Sequence, residues 1–159
     1  LDLAGSDVLR LEDFFIGSLD VSAARLVVLS ACQTGLIDFL RAPDEVVGFP
    51  AGIVQAGVPG VVGTLWPVDD VSTSVLVDAF YRHLLEGDVD PASALHRARR
   101  ELREGTVESL GLVERYRRHL ARRPRDVAAR RELARLEDDP SQRPFRHPWY
   151  WGAFTFTGR

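Results

Sequence analysis

Hydrophobic and polar positions in this chain fall into blocks whose period changes from strand-like to helix-like and back. "RLVVLSA", residues 25–31, is short, apolar and rich in β-branched residues; it predicts a buried strand ending at Cys32. "CQTGLIDFLRAPD" predicts a loop from its Gly, Pro and Asp content. "EVVGFPAGIVQAG" has helical spacing through Val47, Ile53 and Val54 and a stop at Gly57, although Pro50 and Gly52 interrupt it. "VPGVVGTLW" predicts a second buried strand, followed by the turn "PVDD". In "VSTSVLVDAFYRHLLEG", residues Val71, Val75, Leu76, Ala79, Phe80 and Leu84 form one stripe, with Asp70 as N-cap and Gly87 as the stop. Asp90-Pro91 opens a further helix that should bury Ala94, Leu95, Ala98 and Leu102. "LEDFFIGSLD" near the start reads as a short helix, and "WYWGAFTFTG" at the end as a last strand.

The resulting order of strand, helix, strand, helix, helix, strand is that of an α/β fold with a largely parallel sheet. Ligands of such sheets sit beyond the carboxyl ends of the strands. Cys32 stands at one such end and Trp66 to Asp70 at the next, so the two loops are expected to share one crevice. Residues 104–146 break the alternation. They carry eleven of the twenty arginines and eight acids, with helical stripes at Leu110, Val113, Tyr116 and Leu120 and at Val127, Leu133 and Leu136. A helical insertion before the last strand is expected there, either solvated or serving as a docking surface. Its arginines alternate with acids, so a nucleic-acid partner is not expected.

Composition sharpens this picture at a few points. The 159 residues suffice for one domain with a real core, and the formal net charge of −3 favours neither nucleic acid nor membrane. No apolar run approaches the ~18 residues of a membrane span. One cysteine excludes an internal disulfide, no secretory pattern opens the chain, and a reducing cytoplasm is expected. All basic residues are arginine, as in a GC-rich bacterial gene. The chain contains no methionine and starts at Leu1, and so reads as a piece of a longer protein.

The lone Cys32 admits two readings. A free cysteine is commonly a small buried hydrophobe. Against this, Gln33, Thr34 and Gly35 follow it at once, and a strand end exposes its side chain. The chain lacks the clustered Cys and His ligands of a zinc site, and Gly35 stands where a Cys-x-x-Cys pair needs its second thiol. A phosphatase loop would want an arginine where Asp38 stands. Nucleophilic catalysis remains: an imidazole takes the thiol proton and backbone N–H groups hold the oxyanion.

"LVVLSACQTG", "VVGFPAGIVQAGVPGVVGTLWPVDDVSTSVLVDAFYRHLLEG", "PASALHRARRELRE" and "HPWYWGAFTFTG" resemble, in order, the carboxyl-terminal half of a CHAT domain. CHAT domains are a caspase-like, separase-related branch of the cysteine peptidases, often joined to tetratricopeptide repeats. The resemblance implies a three-layer caspase-like fold, Cys32 as nucleophile, a protein or peptide substrate and no cofactor. It also implies a tetratricopeptide-type regulatory domain or partner. Gly35 would supply a positive-φ turn beside the nucleophile. The family's catalytic histidine comes earlier, in a His-Gly dipeptide absent from this sequence. His83, His96, His119 and His147 do not match it, so it is expected upstream of Leu1, the alternative being that this copy has lost it.

Trp66, Asp69 and Asp70 are the expected substrate-binding residues: an aromatic wall ending in carboxylates, suited to a basic side chain. Asp69 or Asp70 could instead cap the helix that follows, and Trp66 could be core. The reading from another class is a non-catalytic CHAT-like module that binds a partner protein.

Overall fold

The computed structural model describes Asp13, residues 19–21, 23–29 and 49–159. The chain is mixed α/β, with a three-stranded sheet and six helices among the described residues. By their internal contacts these residues divide into two units, one comprising residues up to Val68 together with Ala153–Arg159, the other Asp69–Gly152.

The first unit holds the sheet. Strand β1 (Val27–Val28) pairs in parallel with β2 (Gly60–Thr64), Val27 opposite Val61 and Val28 opposite Val62. The ladder continues one residue further, where Leu29 N–H donates to Val62 C=O at 2.8 Å. Every residue of β2 is buried, which explains its unbroken apolar run. Strand β3 (Phe154–Gly158) pairs antiparallel on the other side of β2. The described sheet is therefore mixed, where a largely parallel one is expected. An antiparallel strand added at the edge of a parallel pair is a common arrangement, because it needs no further crossover helix.

Helix α1 (Phe49–Gln55) fills the connection between the parallel strands and packs on β2 and β3. It ends where the glycine signal places it. Gly57 has φ +104°, and its N–H and that of Val58 return to the carbonyls of Val54 and Ile53. That is a glycine-dependent helix stop, since a side chain is strained at such a φ. Ile53, Val58 and Val61 form the core of this unit, with Val21, Ala24, Val27 and Leu29 packed against it. At the far end of β2, Gly60 and Gly158 face each other. A Cβ on Gly158 would lie 2.3 Å from the Pro59 carbonyl oxygen, so the pairing admits only glycine there.

The second unit is helical. Helices α2 (Asp70–Glu86) and α3 (Pro91–Glu104) pack on each other. The apolar stripe is as the sequence spells it except at Leu84, which is half-buried: Val71, Val75, Leu76, Ala79 and Phe80 are buried on α2, and Ala94, Leu95, Ala98 and Leu102 on α3. Asp90 caps α3 by accepting from Ser93 N–H, with Pro91 in the first turn. Within residues 104–146 lie α4 (Leu112–Arg122) and α5 (Val127–Asp138), packed together. Leu112, Tyr116, Ala129 and Leu136 are their buried positions. Val127, expected on a buried stripe, is 56% exposed. It is the first residue of its helix, and Ala129 takes the buried place two residues on.

Two local expectations change. The N-cap of α2 is Asp69, with Asp70 as the first helical residue. The residues "PWYW" form a helical turn, α6 (Pro148–Trp151), so the last strand starts only at Phe154. Pro148 suits the first helical position, and His147 caps the turn by accepting the Trp149 N–H on Nδ1 at 3.2 Å. Arg99 and Arg103 lie over the Trp151 ring, 5.6 and 5.7 Å from its centroid. Among the described residues, no helix is long and apolar enough to cross a membrane.

Candidate functional site

Parallel pairing sends β1 and β2 to the same edge of the sheet. The chain leaves that edge at Leu29 and at Thr64. Cys32 follows Leu29 by three residues, and Trp66 follows Thr64 by two. Cys32, Gly35 and the predicted loop around them lie outside the described residues, as does most of "LEDFFIGSLD". Thr64 is buried, and Leu65 N–H is held by the Ala153 carbonyl at 2.9 Å. Trp66 is half-buried.

Asp69 and Asp70 belong to the second unit. Asp69 accepts the Ser72 N–H on Oδ2 at 2.8 Å, and its carbonyl oxygen accepts the Ser72 hydroxyl. Its first task is thus to cap α2. Asp70 is exposed and accepts from Arg123 Nη1 at 3.2 Å. Both aspartates line an open cleft of about 450 Å³ beside Tyr116, Phe145 and Tyr150. Burial, reinforced by the carboxylates of Asp69 and Glu132, pushes the Tyr116 phenol well above its ordinary range. Tyr116 is therefore a neutral wall at any physiological pH. The sequence pattern marks Tyr116 as a core position and gives no sign of its place beside the two aspartates. That proximity depends on how α4 packs in the second unit.

Capping predicts how the two aspartates respond to substitution. Asp69→Ala should lower stability by about 1 kcal/mol, while Asp69→Asn, which still offers an acceptor, should cost only a few tenths. Asp70→Asn removes an exposed pair and should cost less than about 1 kcal/mol. Thermal denaturation of the three variants checks this. An Asp70→Asn loss larger than that of Asp69→Ala would overturn the cap assignment.

Three of the four histidines have polar partners in the structure. His83 Nε2 lies 3.0 Å from Glu101 Oε2, and His119 Nε2 lies 2.9 Å from Asp126 Oδ2. His147 is a helix cap, and His96 is an exposed residue of α3. The Ala129 N–H and then His119 hold the Asp126 carboxyl below the usual range, so Asp126 stays ionised as cap and partner. Among the described residues, no group of three His, Cys, Asp or Glu side chains is placed to hold a metal ion.

No curated protein and no solved structure matches the chain. A family model does, and it spans all the elements above together with the Cys32 segment. The CHAT domain model covers residues 3–159, and the chain belongs to this caspase-like family, which is related to the cysteine peptidases.

Proposed function

We propose that the chain is the nucleophile-bearing part of a caspase-like cysteine endopeptidase, built as a three-layer caspase-like domain within a longer regulated protein. The observation that supports this best is the stretch Ser30-Ala31-Cys32-Gln33-Thr34-Gly35 directly after β1, whose pairing with β2 through Leu29 fixes where the strand delivers its carboxyl end. A thiol that follows a strand end in sequence suits the place where such folds present their reacting groups.

The Cys32 thiol gives its proton to an imidazole, and Sγ attacks the carbonyl carbon of the scissile peptide. The tetrahedral oxyanion is held by backbone N–H groups of the segment 32–35. The C–N bond breaks, the imidazolium returns the proton to the departing amine, and a thioester remains. Water, deprotonated by the same imidazole, then releases the acid and restores the thiol. The imidazole is that of the family's His-Gly dipeptide, which these 159 residues do not contain. Trp66, in the same unit as β1 and β2, is assigned to the substrate as an apolar wall.

The test is the reactivity of the one cysteine. In the 159-residue chain, iodoacetamide should alkylate Cys32 slowly at neutral pH, as it does a mostly protonated thiol. In the natural full-length protein, the rate should rise about 10-fold or more, and replacing the His-Gly histidine by alanine should remove the gain. Equal rates in all three proteins would refute the pairing of Cys32 with that histidine.

A further inference from the structure

The geometry points to a second site, in the helical unit, that binds the phosphate dianion of a phosphorylated side chain on a protein partner. It stands independently of the role of Cys32. An open cleft of about 390 Å³ lies between the first turns of α2 and the outer face of α4. Arg115, Arg118 and Arg122 line it from one face of α4, spaced three and four residues apart, and Arg123 lines it from the end of that helix. Asp70 and Asp78 line it from α2.

The charges in the cleft do not cancel. Arg115 donates to Asp78 at 2.6 Å and is tied further to the Leu110 carbonyl. Arg123 meets Asp70 at 3.2 Å, both side chains about two-thirds exposed. Arg118 and Arg122 are exposed and have no acidic partner among the described residues. Four guanidiniums thus face two carboxylates, and two positive charges are left, equal and opposite to a phosphate dianion. The carboxyl end of α4 opposes an anion with about half a charge, which the two unpaired arginines outweigh. Guanidinium forks match phosphate oxygens in pairs, as an ammonium cannot. No Phe, Tyr or Trp ring lines the cleft, and its one imidazole, His119, is mostly buried and held by Asp126, so it offers little of the stacking surface with which single-stranded nucleic acids are held.

The test is fluorescence anisotropy on the 159-residue chain at low salt, with a dye-labelled pentapeptide carrying one phosphoserine. Binding should fall about 10-fold or more in Arg118→Ala/Arg122→Ala. Arg118→Lys/Arg122→Lys, which keeps the charge, should recover only part of it. Arg131→Ala, an exposed arginine on α5 outside this cleft, should bind as the parent does. Excess inorganic phosphate should compete, and the serine peptide should not bind. Circular dichroism establishes that each variant is folded. Equal binding by parent and double alanine variant overturns the proposal, as does an equal loss in Arg131→Ala. Equal binding of a glutamate peptide overturns the assignment to phosphate. Tighter binding of a single-stranded RNA, lost in the same double variant, overturns the assignment to a protein partner.

Discussion

Replacing Cys32 by alanine should lower cleavage of a protein substrate by the natural full-length protein by about 10³-fold or more. The size follows from what the thiol does. Without a nucleophile no thioester forms, and the backbone donors have no oxyanion to hold. What survives is the modest acceleration from binding and orienting a peptide near an imidazole. Cys32→Ser should fare little better, because a base poised for a thiol must now ionise a much weaker acid. Substrate binding should survive both changes, so the loss should fall on kcat and leave KM nearly unchanged. Full activity in Cys32→Ala would refute Cys32 as the nucleophile.

The largest effect on stability should come from Phe80→Ala. Phe80 is 1% exposed on α2, within the helical unit where α2 packs on α3. Removing its ring should cost about 3–5 kcal/mol, transfer and cavity terms together. Whole domains are stable by only ~5–15 kcal/mol, so the variant should be near unfolding at 37 °C. The neighbouring Tyr81 is 40% exposed, and Tyr81→Ala should cost less than about 1 kcal/mol. Urea denaturation followed by circular dichroism compares the two. A Phe80→Ala loss no larger than that of Tyr81→Ala would contradict the packing described for α2 and α3.

The elements that sequence revealed best are those whose signals are local. The stripe of α2, the Asp90-Pro91 start of α3 and the glycine stop after α1 each depend on residues within one turn of one another. The "PWYW" turn was hidden because three aromatic residues resemble a strand, while the His147 cap and Pro148 act only through backbone geometry. Asp69 and Asp70 are both good caps by type, and only the backbone angles before α2 choose between them. The direction of β3 was likewise invisible, since period-two patterning does not distinguish parallel from antiparallel pairing. At the candidate site, the β1–β2 pairing and the positions following it in sequence were legible. The clustering of Asp69, Tyr116 and Tyr150, and of Arg115, Arg118 and Arg122 against α2, was not. Those contacts join residues more than thirty positions apart and depend on how α4 docks.

The most direct measurement of the central claim is the intact mass of the natural full-length protein after treatment with a peptidyl ketone that alkylates cysteine peptidases. The account predicts a single adduct that maps to Cys32, forms faster than with iodoacetamide and is abolished when the His-Gly histidine is replaced by alanine. An unmodified Cys32, or an adduct that forms equally fast without the histidine, would contradict it.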